Sequence, residues 1–220
     1  MDDSVQQMAQ RFYGYGTWRA PFWFIGPEPG GDGNEKRAKA FSKLGEDGLC
    51  DCKEFHQAIA EFRWHREPPE RAVLVPTWRR LMLLLMPILS RETDQLTLRD
   101  YQSRHWGMRK GETCVIELGG LSAKHFRISI DRTSFRQERI RSIAERLEER
   151  MEQSDHPLKL VVMYGSGSKD AWKKISGYDF SSGSFMKRGQ TTFAFMSSPT
   201  AFGQRDEEWT DLGARIAAQL

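Results

Sequence analysis

The 220 residues carry 33 Lys and Arg against 30 Asp and Glu, a net charge of +3, with 39% hydrophobic and 29% charged residues. A mean hydropathy of -0.62 and a longest apolar run, Leu81 to Leu89, that Pro87 interrupts exclude a membrane-spanning helix, which needs about 20 apolar residues. Seven Trp and thirteen Phe exclude a disordered chain, and Cys50, Cys52 and Cys114 are too few for a disulfide framework and lack the spacing of a zinc or iron–sulfur site.

The length predicts one domain over 1–220. The acidic start Met1-Asp2-Asp3-Ser4 lacks the basic and apolar stretches of a signal peptide, so the expected location is the cytoplasm. A pI near 8.8 permits nucleic-acid binding without requiring it; basic residues cluster at Lys36, Arg37 and Lys39, at Arg79 and Arg80, and over 132–146.

In chain order, Pro21-Phe22-Trp23-Phe24-Ile25 is apolar without alternation, which suits a strand buried on both faces. The turn Gly26-Pro27-Glu28-Pro29-Gly30-Gly31 follows, and Asp32-Gly33-Asn34 offers caps for a helix from near Glu35 through Ala38 and Phe41. The stretch 50–111 reads as a helical insertion, with helices at 54–63 and 78–86 separated by Glu67-Pro68-Pro69. In it Trp78, Leu81, Met82, Leu85 and Met86 recur at core-facing helical spacing. A second strand is expected at 113–118 before Gly119-Gly120, then a helix at 134–153 with a Ser134–Gln137 capping box and a stripe of Ile140, Ile143, Leu147 and Met151. The third strand, 158–164, runs into Gly165-Ser166-Gly167-Ser168 and a helix through Ala171, Trp172 and Ile175. The fourth, 191–196, leads into Ser197-Ser198-Pro199-Thr200 and a closing helix over 206–220. Strand–loop–helix units in this number predict a three-layer α/β/α fold around a central four-stranded, mainly parallel sheet, with the ligand site where the loops leave the carboxyl ends.

The first of those loops is not a dinucleotide or P-loop fingerprint. Its glycines allow close backbone approach and its prolines stiffen a turn around Glu28, an acid placed to aim a water; a plain strand-to-helix turn with an exposed Glu is the bland alternative.

FIGPEPGG after the first strand, VIEL in the second, VVMYGSGS after the third and SSPT after the fourth, in that order, resemble the uracil-DNA glycosylase superfamily over residues 20–45 and 112–220. The resemblance implies that fold and hydrolysis of an N-glycosidic bond. By the same matching, Glu28 falls where the water-directing Asp or Asn stands, Phe41 where a base-stacking Phe stands, and Glu117 where an Asn reads the base. Ser198 takes the place of the His that stabilises the departing base, and Tyr164 that of the Trp before Gly165 and Ser166. Gly26, Pro27, Pro29 and Gly30 would line the first loop, and Pro199 and Thr200 would grip a phosphate. A carboxylate only accepts hydrogen bonds, so Glu117 does not fit uracil as an amide would, and Ser198 donates a bond but no charge. No cofactor and no metal are expected: the cysteine count excludes a cluster, and His56, His65, His105, His125 and His156 have no ligand spacing.

Three roles remain open at this level: a DNA glycosylase acting on a modified or damaged base, with His125 able to supply the missing imidazole; a non-catalytic nucleic-acid or nucleotide binding module gripping backbone through Lys36, Arg37, Lys124, Arg127, Lys187 and Arg188; or an interaction protein using the surface around Trp64, His65 and Trp106, which otherwise belong to the core.

Overall fold

The four unbroken apolar runs become the parallel heart of a mixed sheet. In a computed structural model, which describes residues 3–27, 33–122 and 132–220 (side chains of the last stretch from residue 135), the elements in chain order are α1 (Asp3–Arg11), β1 (Gly14–Tyr15), β2 (Phe22–Gly26), α2 (Asn34–Leu44), β3 (Leu49–Cys50), α3 (Cys52–Ala58), α4 (Pro76–Ile88), α5 (Gln95–Arg104), β4 (Thr113–Glu117), α6 (Arg132–Glu152), β5 (Leu160–Tyr164), α7 (Lys169–Ser176), β6 (Ser184–Arg188), β7 (Thr191–Met196) and α8 (Asp206–Ala217). The sheet order is β3-β1-β4-β2-β5-β7-β6. Within it β4, β2, β5 and β7 pair in parallel, while β1 runs antiparallel to β4 and β6 to β7.

The sheet therefore has seven strands among the described residues rather than the four expected. The additional ones left no pattern to read. β1 and β3 are two residues each, too short for any periodicity, and β6 (Ser184-Phe185-Met186-Lys187-Arg188) is a half-buried edge strand with no apolar run.

The central strands lack alternation because both faces are covered. Phe22, Phe24, Val115, Val162, Tyr164 and Met196 pack into one core with residues of α1 to α5 and α8. Trp23, Ile25, Ile116, Val161, Met163 and Phe195 pack into a second core with Ile140, Ile143 and Leu147 of α6 and Ala171, Trp172 and Ile175 of α7. Helices thus flank the sheet on both sides. The middle of the chain, expected as an insertion, is built into the first of these layers: α4 packs along α8, close enough that a Cβ on Gly213 would lie 2.1 Å from the Leu84 carbonyl oxygen. Trp78, Leu81, Met82, Leu85 and Met86 are buried there, as their spacing predicts.

Candidate functional site

From β2 the chain crosses to β4 on one side, and from β5 it proceeds to β7 on the other. Connections that diverge in this way mark the carboxyl ends of β2 and β5 as the topological switch point, the crevice position where open α/β sheets bind ligands. Gly26-Pro27 leaves one lip and Gly165-Ser166 the other. Gly165 has φ +97, and a Cβ there would sit 3.4 Å from Pro27 Cδ and Cγ, so the two loops touch. The rest of the first loop, Glu28, Pro29 and Gly30 included, lies outside the described residues, as do Lys124, His125 and Arg127 and the side chain of Ser134.

Glu117, Gly26, Tyr164 and Met196 form a row across the four parallel strands, on one face of the sheet. Gly26 is required there because the Tyr164 ring lies over it: a Cβ would meet the hydroxyl oxygen at 2.1 Å. Burial and the charge of Glu117 hold the Tyr164 hydroxyl well above its ordinary range, so it is a neutral donor. Glu117 is buried, 6% exposed, at the end of β4. Its backbone is pinned by Arg139 of α6, which donates to the carbonyls of Glu117 (2.5 Å), Leu118 (2.8 Å) and Phe12 (2.7 Å).

Hydroxyl groups gather around the other side. Ser197 Oγ lies 3.0 Å from Ser182 Oγ and 3.4 Å from Ser166 Oγ, and Ser198 Oγ lies 3.4 Å from Thr200 Oγ1. This fourth loop is fastened from α4. Arg80 donates to the carbonyls of Pro199 and of Gln204 (2.8 Å) and pairs with Asp206, to which Arg79 adds a two-pronged bond at 2.8 and 2.6 Å. The hydrogen bond from Arg79 holds the Asp206 carboxyl below its usual range. Replacing Arg80 by Ala is expected to raise amide exchange at Ala201 and Gln204 at least roughly tenfold while leaving the α4 core protected, because the lost bonds anchor the loop alone; hydrogen-exchange mass spectrometry reads both. Beyond Thr200, Phe202 projects wholly into solvent, a position the sequence reading passed over.

Other expected site residues stand elsewhere. Phe41 packs edge-on against Phe12, centroids 5.4 Å apart, and beside Gly45 near the far end of α2. Arg37, expected as a backbone contact, is buried at 4% exposure, its guanidinium over the Phe12 and Phe55 rings and 3.4 Å from the Tyr15 hydroxyl. Lys187 and Arg188 lie beside the start of β7, opposite Thr192 and Thr191, at the far end of the sheet from the crevice. Trp106 and His65 are buried, while Trp64 is only partly buried where it packs on the same core.

The fold also assembles a cluster that spacing did not suggest. Cys52 opens α3, His56 follows one turn later, and a 3-10 turn over Phe62–Trp64 brings His65 back onto them. Cys52 Sγ is 3.5 Å from His56 Nδ1 and 3.8 Å from His65 Nε2, and the two ring nitrogens are 3.3 Å apart. Burial pushes the thiol up, holds His56 below its ordinary range and brings His65 down to about 4. The Cys-x-x-x-His pair on one helix face was the available signal; the return of His65 was not readable.

No protein-family model matches the chain, and no curated protein matches it significantly in sequence.

Proposed function

We propose that the crevice between β2 and β5 binds a nucleotide extruded from DNA, and that the protein is a uracil-DNA glycosylase-like enzyme hydrolysing the N-glycosidic bond of a modified or damaged base. The observation that carries this reading is the meeting of Pro27 and Gly165 across the crevice, with Ser166, Ser197, Ser198 and Thr200 beside it and Phe202 exposed on the same loop. Hydroxyls and backbone N–H groups at strand ends suit a sugar-phosphate. An exposed aromatic wedge on that loop suits the space a flipped base vacates, since unstacking costs a few kcal/mol that an inserted ring offsets.

In this reading Glu28 orients the attacking water, Glu117 accepts from a donor on the base, and the Ser198 and Ser166 hydroxyls donate to the leaving group or the sugar. With Ser198 where the imidazole stands, the departing anion loses charge stabilisation unless His125 supplies it, a loss of about 100 to 1,000-fold in such sites. The favoured substrate is therefore a base that leaves more readily than uracil. That same deficit favours one second reading, a module that binds nucleic acid without cutting it.

Oligonucleotides carrying uracil, hypoxanthine, xanthine or alkylated bases, single- and double-stranded, separate the two. Free base should be released by the native chain, with release lost in Glu28→Ala and duplex affinity reduced about tenfold in Phe202→Ala. Salt-sensitive binding without release would establish the module instead, and no binding at all would end both.

A further inference from the structure

We infer that Cys52, His56 and His65 form a structural site for a divalent cation of the zinc class. The argument is geometric. A tetrahedral ion at zinc's bond lengths to thiolate and imidazole sets sulfur–nitrogen separations at about 3.6 Å and nitrogen–nitrogen separations at about 3.4 Å. The three ligand atoms stand 3.5, 3.8 and 3.3 Å apart, on three buried residues. One thiolate and two imidazoles are a donor set that selects borderline cations over magnesium or calcium.

Hydrogen bonding alone accounts for the cluster less well. His56 Nδ1 lies 2.7 Å from the Cys52 carbonyl oxygen, which accepts its proton when no ion is bound. With that proton committed, the thiol is left only His65 Nε2 as acceptor, at a long 3.8 Å, in a site where Cys52, His56 and His65 are at most 4% exposed. A cation satisfies all three atoms at once, with the His56 ring proton moved from Nδ1 to Nε2 and the thiol proton released to solvent.

The place in the fold assigns the role. α3 leaves β3, which runs antiparallel to β4 through β1, so the site lies toward the amino ends of the parallel strands and away from the crevice. The Cys52 N–H donates to the Gly107 carbonyl at 3.0 Å, and the Gly107 N–H donates to Thr113 Oγ1 at 2.8 Å, at the first residue of β4. The His56 ring packs against Trp64 and Trp78, centroids 4.7 and 5.5 Å away. An ion here ties α3 to the end of the 3-10 turn, beside Trp78 of α4. The inference stands independently of the glycosylase reading, since neither uses the other's residues.

The test is titration of the reduced, chelator-stripped full chain with Co2+. Binding should saturate at one ion per chain with a thiolate-to-cobalt charge-transfer band; Cys52→Ser should abolish the band, and Cys50→Ser and Cys114→Ser should keep it. His65→Asn should weaken binding at least roughly tenfold, and Zn2+ in excess should raise the native chain's melting temperature by several degrees. Should Cys52→Ser fail to fold, X-ray absorption on the native chain loaded with zinc decides, with one sulfur and two imidazole nitrogens expected around the ion. A folded native chain that gives no band and no melting shift, or a sulfur-free shell, would overturn the site and leave a hydrogen-bonded cluster.

Discussion

Arg139→Met is expected to lower the free energy of unfolding by about 4 kcal/mol, because it removes a charged donor from several backbone carbonyls at once. The side chain is 2% exposed. Its guanidinium donates to the carbonyls of Phe12, Glu117 and Leu118, with a longer bond at 3.4 Å to Gln10, and stacks 4.3 Å from the Tyr13 ring centroid. Burial draws its pKa down to about 10, which still leaves it a cation at neutral pH, so each bond is charge-assisted. Bonds from a charged group contribute about 1.5–3 kcal/mol each, offset by the cost of burying the charge. Lysine has one ammonium where four carbonyls need a planar fork, so Arg139→Lys should recover little of the loss. Urea denaturation of both variants checks this; a cost under about 1 kcal/mol would mean that water replaces the guanidinium. The consequence reaches the site, since these bonds hold the end of β4 on which Glu117 stands.

The parallel strands and the loops after them were legible because burial on both faces demands unbroken apolar runs, and tight exits demand Gly, Ser and Pro. What composition and spacing could not supply was the direction of charged side chains. Arg37 was expected to grip a nucleic-acid backbone and Arg139 stood within the basic cluster over 132–146, yet the first is buried against aromatic rings and the second knits backbone. Charge identifies a residue's cost in the interior and says nothing of whether partners there offset it. Phe41 was matched to a site by its distance along the chain from Gly26, but that distance runs along α2, which carries the ring onto Phe12. His65 was invisible for the opposite reason: its cluster closes through an irregular turn that no periodicity encodes. Phe202 looked like one more loop residue until its neighbours were placed, none of which covers it.

Gly26→Ala should be strongly damaging at the crevice, costing about 3 kcal/mol or more. The added Cβ would stand 2.1 Å from the Tyr164 hydroxyl oxygen and 2.3 Å from Cζ. Neither group can yield freely, because Tyr164 is paired with Met196 of β7 and its ring is buried at 5% exposure. Tyr164→Phe removes only the oxygen and keeps the carbon contact, so it should not rescue the alanine. Tyr164→Ala opens the space at its own cost of about 3–5 kcal/mol, and in that background Gly26→Ala should cost little. The double-mutant cycle, read by thermal or urea unfolding, is thus expected to give a coupling of about 2 kcal/mol or more. A coupling near zero would mean the ring swings into the crevice without penalty. In that case Tyr164 would be a movable wall of the candidate site, and the depth available to a ligand would be set by the ring's position rather than by the missing side chain of Gly26.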